Sequence, residues 1–273
     1  MKPLARTEER NPKSMNMDRM SSEEMARLVI TANYEAVKAV EDAVVPITKA
    51  VDAVAEAFEN GHRLFYVGAG TSGRLGIIDA AECPPTFGVP HGQVTGIIAG
   101  GADRVFKAGE SEEDSYEGGC RVIAEYGVEK GDVVVGISAA GNAAFVIGAM
   151  ETAKALGCVV IGLSSNPDTG VLRVADIPIF TDTGAEVLTG STRLKAGTAQ
   201  KIVLNTLTTC AMTKTGKVYE NMMINLEPSN EKLRGRVIRI VTEILGCKER
   251  EAEEKLSRNE WNIRRTLDDA QRI

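Results

Sequence analysis

The spacing of apolar residues changes twice along this 273-residue chain. The first twenty residues are polar and irregular. From Ser21 to about Asn60 apolar residues recur at helical spacing, and Ser21-Ser22-Glu23-Glu24 opens that stretch as a capping box. Pro46 should interrupt it, because the residue before a proline, Val45, is pushed out of helical geometry. The period then shortens. RLFYVG (63–68), QVTGIIAG (93–100), DVVVGIS (132–138), CVVIGLS (158–164) and the weaker DIPIF (176–180) are short runs rich in β-branched residues. Amphipathic or Ala-rich stretches such as 143–156 lie between them. Strands alternating with helices predict right-handed βαβ units and a doubly wound α/β fold, with a five-stranded parallel sheet as the middle of three layers. Beyond residue 196 the pattern is helical again, through KAGTAQKIVLNTLTTCAMTKTG, NEKLRGRVIRIVTEILG and two short segments around KEREAEEKLS and NEWNIRRTLDDAQ. This divides the chain into an N-terminal arm and helix (1–45), an α/β domain (46–225) and a C-terminal helical extension (226–273).

Composition narrows the chemistry. A net charge of −6 argues against nucleic acid as a partner, since phosphate neutralisation needs clustered Lys and Arg. No apolar run reaches membrane-spanning length, and MKPLARTEERNPKS lacks a signal peptide's apolar core, so a cytoplasmic protein without membrane contact is expected. The five cysteines are scattered with no C-x-x-C pair, and there are only two histidines, so neither a metal centre nor a disulfide framework is expected. Carboxylates, hydroxyls, Lys, Arg and backbone amides remain.

Three expected strand ends run into loops carrying small hydroxyl residues: Gly70-Thr71-Ser72-Gly73, Ser138-Ala139-Ala140-Gly141-Asn142, and Ser164-Ser165-Asn166. In an open parallel sheet, ligands sit beyond the carboxyl ends of the strands. Gly lets a backbone approach a ligand closely, and the following helix N-terminus offers unpaired N–H groups. GAGTSG also fits G-x-G-x-x-G, but the dinucleotide reading needs an acidic residue about 20 positions on, where FGVPHGQVTG has none. The residues by themselves leave three readings: a phosphate or sugar-phosphate cradle, a dinucleotide site, or glycines that only pack a strand against a helix.

Several longer blocks carry a resemblance. TEERNPKSMNMD (7–18), GAGTSGRLGIIDAAECPPTFG (68–88), IIAGG with GESEEDSYEGG (97–119), and GAEVLTGSTRLKAGTAQK (184–201) resemble the N-acetylmuramic acid 6-phosphate etherases, which have the sugar isomerase (SIS) fold. The last block is also shared with glucokinase regulatory proteins. The resemblance implies cleavage of the lactyl ether of N-acetylmuramic acid 6-phosphate to N-acetylglucosamine 6-phosphate and D-lactate, without a cofactor, by a homodimer with shared sites. It further implies Glu82 as proton donor and Glu113 as base, at C2 and then for the incoming water. Pro84 and Pro85 should end a helix begun at Thr71, placing Glu82 beside a helix C-terminus whose dipole favours the protonated acid. Glu113 sits in an acidic run (Glu110, Glu112, Glu113, Asp114, Glu117) from which only the resemblance selects it. Glu186, Ser191, Thr192, Arg193 and Lys195 become candidate substrate contacts, their alternative being a buried ion pair that fixes the loop.

Eleven helical steps separate Thr71 from Glu82, about 16 Å. A hexose phosphate is shorter than that, so Glu82 should serve a sugar bound largely by a partner subunit. One loop departs from the family. Where relatives carry a hydroxyl, an Arg and a Thr, this chain has Ala140, Asn142 and Ala143, which predicts a weaker hold on a 6-phosphate. The resembling proteins often end in a small three-helix tail, of which residues 246–273 are expected to form the beginning. A phosphosugar-binding regulator and an aldose–ketose isomerase remain alternatives on the same fold.

Overall fold

The computed structural model describes residues 4–107, 109, 112–226, 228 and 231–271; Glu110 of the acidic run lies outside them. All five β-branched runs are strands: β1 (Leu64–Gly68), β2 (Val94–Ile98), β3 (Val133–Ile137), β4 (Val159–Ser164) and β5 (Ile177–Phe180). They form one parallel sheet in the order β2-β1-β3-β4-β5, with Leu64 in register with both Val94 and Val133. The chain moves outward from β1 to β2, then crosses to β3 on the other side. The order therefore reverses at β1 and β3, where a doubly wound sheet opens its crevice.

Side chains alternate across the sheet. Leu64, Tyr66, Val133, Val135, Ile161 and Leu163 face one apolar cluster with α1 (Ser22–Asp42), α2 (Val44–Glu59), α3 (Gly70–Phe87) and α7 (Lys195–Lys214). Phe65, Val67, Val134 and Val160 face the other, under α4 (Tyr116–Glu125), α5 (Ala144–Leu156) and α6 (Gly170–Val174). Both faces of the strands are buried, which is why they read as continuous apolar runs rather than alternating ones.

Two helix boundaries differ from expectation. The capping box forms as read, with the Ser21 hydroxyl accepting from the Glu24 amide and Glu24 accepting from the Ser21 amide at 2.7 Å. The break near Pro46 falls at Ala43, and Val45 stays helical, because Pro46 occupies the first turn of α2, where its missing N–H costs nothing. α3 runs through Pro84 and Pro85 to Phe87 and ends at Gly88 in the left-handed conformation (φ 58°). Tertiary packing holds its last turn: Cys83 and Phe87 are buried, and Asn225 Nδ2 donates to the Phe87 carbonyl at 2.6 Å.

A buried carboxylate pins α3 to its neighbours. Asp79 accepts from the Tyr66 hydroxyl (2.8 Å), Asn205 Nδ2 (2.6 Å) and Thr208 Oγ1 (3.2 Å). Burial, and then the nearby Asp79 charge, push the Cys83 thiol up to about 12.

The N-terminal arm is more ordered than its polarity suggested. Thr7 is fully buried, with Asn166 Nδ2 donating to its Oγ1 at 3.0 Å, and Asn11 Nδ2 donates to the Ala185 carbonyl at 3.1 Å. At the other end, α8 (Glu231–Leu245), α9 (Glu249–Arg258) and α10 (Ile263–Gln271) share an apolar cluster with a short hairpin, β6 (Val218–Tyr219) and β7 (Met222–Met223). A three-helix tail is thus present, beginning at Glu231 rather than at residue 246, and the hairpin was not foreseen. The domain limits at 45 and 225 remain a proposal, and the tail cluster already includes Ile224.

Candidate active site

Past the carboxyl ends of β1 and β3, at the crevice, lies a cavity of ≈ 200 Å³. Four segments wall it. Ala69, Gly70, Thr71 and Ser72 come from the β1–α3 turn; Ile137, Ser138, Ala139 and Ala140 come from the β3 end; Glu113 and Thr192 close the sides. Gly70 has a φ of 51° and open space where a Cβ would stand, so its backbone borders the cavity directly. Gly73 differs: a Cβ there would lie 2.7 Å from Ile98 Cγ1 and 2.8 Å from the Gly68 carbonyl oxygen. The first loop therefore divides its glycines between ligand access and close helix–strand packing. Amides at the start of α3 carry the positive end of that helix's dipole.

Glu113 is placed by its backbone. The Phe145 amide, at the head of α5, donates to the Glu113 carbonyl at 2.9 Å, and Ser115 caps α4 two residues on. Glu113 is the one residue with an ionisable carboxyl or amine among the described residues bordering the cavity, and no described Lys or Arg borders it. An anion here meets amides and hydroxyls. Ser138 Oγ accepts from the Gly141 amide at 2.9 Å and so folds the second loop. Ser72 Oγ donates to Gln200 Oε1 at 3.0 Å.

Several residues singled out from the sequence lie outside this cavity, with their polar atoms engaged elsewhere. Ser164, beneath the loops, donates to the Asn166 carbonyl at 3.1 Å. Asn142, the counterpart of the relatives' Arg, accepts from the Gly170 amide at 2.9 Å and caps α6. Gly141 (φ 79°) would push a Cβ to 2.4 Å from Thr169. Glu186 is fully buried and accepts from the Lys195 and Ala196 amides, both at 3.0 Å, so it caps α7. Burial raises its pKa, while the two amides and Lys195 pull it down less strongly. Lys195, 1% exposed, donates to Glu35 on α1 at 2.7 Å. In place of the wholly buried ion pair weighed for this block there is a half-buried one, and its acid is Glu35, a solvent-accessible residue the motif does not contain. Ser191 is half-buried beside Thr192, and Arg193 is exposed.

Glu82 is exposed and stands more than a turn before the end of α3. The helix-end dipole expected at Glu82 is withdrawn, since that effect fades within the last turn. Glu82 does not border the cavity of its own chain, whereas Glu113 does.

Glu35 carries a pH prediction. Burial raises its pKa, but hydrogen bonds and charge from Lys13 and Lys195 outweigh that and leave it below the ordinary carboxyl range. A depressed carboxyl adds stability that is whole above its unfolded value and disappears as pH falls through the folded value. Glu35→Gln should flatten the acid limb of the stability curve. Melting midpoints taken over about pH 3–6 check this, and an unchanged acid limb refutes it.

The comparisons fit this geometry. The family model for the glucokinase regulatory protein N-terminal SIS domain matches residues 46–154. The N-acetylmuramic acid 6-phosphate etherase of Actinobacillus pleuropneumoniae serotype 5b (strain L20) is 46% identical over 258 residues, 94% of this chain and 85% of that protein. The protein of the same name from Clostridium botulinum (strain Hall) is 45% identical over 261 residues, 96% of this chain and 86% of that one. Among solved structures, the phosphoheptose isomerase of Neisseria gonorrhoeae aligns at a TM-score of 0.53 and 18% identity, over 71% of this chain and all of that one (100%). An Escherichia coli CFT073 protein in complex with A5P aligns at 0.51 and 16% identity, over 71% of this chain and 93% of that one. At such identities the structural matches speak for the fold alone.

Proposed function

The chain belongs to the N-acetylmuramic acid 6-phosphate etherases, and from that membership we propose how its cavity cleaves a lactyl ether. The enzyme is a carbon–oxygen lyase, releasing D-lactate and leaving N-acetylglucosamine 6-phosphate. The observation that carries the site reading is the meeting of Glu113 with the Gly70–Ser72 and Ser138–Ala140 loops around one cavity.

An ether has no carbonyl to attack and a poor leaving group. In the open-chain sugar, however, the C3 ether oxygen is β to the C1 aldehyde, which acidifies the C2 proton. Glu113 takes that proton. The C3–O bond breaks, its electron pair leaves with lactate, and Glu82 protonates the departing oxygen. Glu113 then holds the C2 proton, so the carboxylate free to activate water is Glu82. Hydroxide adds at C3, and Glu113 returns its proton to C2. This moves the water step from Glu113, the base expected for it, to Glu82. Each positioned acid or base is worth about 10²–10⁴-fold. The loops hold the phosphate by amides and hydroxyls, as suits an amino-sugar phosphate; that the aligned Escherichia coli protein is in complex with A5P supports a phosphosugar as the class of ligand.

The two carboxylates come from different subunits in this reading. Glu82 is exposed, and so is Ile78, one turn before it (59%). α1 leaves a stripe of Ile30, Tyr34 and Val37 in the open at helical spacing, Tyr34 at 71% exposure, continued by Val44 and Val45. A second copy covering these faces bridges the distance that one helix cannot. With a net charge of −6, and with no helix among the described residues long and apolar enough to cross a membrane, neither nucleic acid nor membrane enters the reading, and the cytoplasm suits its substrate.

The test uses two dead enzymes. Glu82→Gln and Glu113→Gln should each release little D-lactate. Dissociated and reassembled together, they should recover roughly a quarter of wild-type activity, because half the dimers are mixed and each mixed dimer has one intact site. No recovery would place both carboxylates in one subunit's site.

A further inference from the structure

Gln200 belongs to no part of the site described so far, yet it is 1% exposed and touches the loop that borders the cavity. We propose that Gln200 is a positioning residue that sets the direction of the Ser72 hydroxyl proton and turns it toward the bound phosphate. The inference rests on the cavity being the phosphate site.

The argument starts from donors and acceptors. A serine hydroxyl has one proton and two lone pairs. In this structure Ser72 gives that proton to Gln200 Oε1 at 3.0 Å. So arranged, Ser72 offers a phosphate only lone pairs, which an anion repels. Gln200 Nε2 meanwhile is buried with no hydrogen-bond partner. Unpaired buried N–H groups are rarer than under-satisfied carbonyl oxygens, and each costs free energy.

A half-turn of the Gln200 amide about its last bond answers both problems. Nε2 then donates to Ser72 Oγ, and the hydroxyl proton is released toward the cavity that Ser72 borders. The displaced Oε1 takes the unpartnered position, which a carbonyl tolerates better. Gln200 N–H, Ser72 O–H and a phosphate oxygen form a relay whose bonds polarise one another. No proton changes its owner and no bond to carbon is involved. The structure shows one arrangement, and a bound anion favours the other. Ser72 is thereby a switchable donor, in a site with no Lys or Arg at its described border.

Gln200→Glu in its ionised form can only accept, so it should lock the proton away from the cavity. Gln200→Met keeps much of the volume and loses both roles. Dissociation constants for N-acetylglucosamine 6-phosphate and for inorganic phosphate are measured by calorimetry, beside kcat and KM for lactate release. Ser72→Ala should weaken both ligands. Gln200→Glu should weaken them about 10–100-fold, in KM far more than in kcat, and Gln200→Met should fall between wild type and Gln200→Glu. In the Ser72→Ala background the neutral change Gln200→Met should not weaken binding further, whereas Gln200→Glu keeps only the loss due to its charge. Equal losses in both backgrounds would mean that Gln200 merely supports packing, and the inference falls. Full affinity in both Gln200 variants also overturns it. If Ser72→Ala binds both ligands as tightly as wild type, the cavity reading fails first and takes the inference with it.

Discussion

Glu113→Gln should lower D-lactate release by about 10²–10⁴-fold while leaving the affinity for N-acetylglucosamine 6-phosphate within a few-fold of wild type. The substitution keeps the size and hydrogen-bonding outline of the side chain but cannot take a proton from C2. It also leaves the loop in place, because Glu113 is anchored through its own carbonyl, which accepts from the Phe145 amide at 2.9 Å. A lost kcat with an intact KM is what removal of a transition-state interaction looks like. Exchange of the C2 hydrogen with deuterated solvent should vanish along with lactate release. If Glu113→Gln still exchanges that hydrogen at the wild-type rate, another group is the base.

Gly119→Ala should damage stability and activity together. A Cβ on Gly119 would stand 1.9 Å from the Phe145 carbonyl oxygen, 2.8 Å from its carbon and 2.9 Å from the Ala149 nitrogen. All three are backbone atoms of α5, so no rotamer change relieves the clash. Across the same crossing, a Cβ on Gly148 would meet the Tyr116 carbonyl oxygen at 2.3 Å. α4 and α5 touch backbone to backbone here, and one methyl must pry them apart at a cost of about 1–3 kcal/mol. A loss of that size lowers the melting midpoint by roughly 2–4 °C per kcal/mol in a chain of this size. Glu113 lies just ahead of α4 and is tied to the head of α5, so parting the helices should also shift the proposed base and lower kcat. Gly235→Ala in α8 is the control: nothing stands within 4 Å of its Cβ, and alanine favours a helix more than glycine does. A Gly119→Ala enzyme that matches this control in melting and in turnover would show that the helices are not so closely locked.

The strands were legible because a parallel sheet buried on both faces leaves uninterrupted β-branched runs, and nothing in the tertiary structure competes with them. The Ser21 cap was legible because capping is local. The end of α3 was not: two prolines argue for a stop, and the contrary force is the burial of Phe87 and a bond from Asn225, 138 positions away. Lys195 shows a similar limit. Its motif announces a charged residue of some consequence, but its partner Glu35 lies 160 positions upstream in an ordinary-looking helix. Of the two glutamates, spacing alone selected neither. Glu113 stands in an acidic run whose default reading is a solvated face, and only the tertiary structure, which ties its backbone to α5, sets that residue at the cavity.

The thiol at Cys83 has a consequence for the enzyme's chemical hardiness. It sits near the end of α3 immediately after Glu82, the proposed acid, where a reactive sulfur would invite damage. With its pKa pushed up to about 12 and its surface covered, it stays protonated at neutral pH and offers almost no thiolate to peroxide or to electrophiles. Oxidative stress and alkylating reagents should therefore pass the catalytic helix by and spend themselves on the exposed sulfur of Cys210.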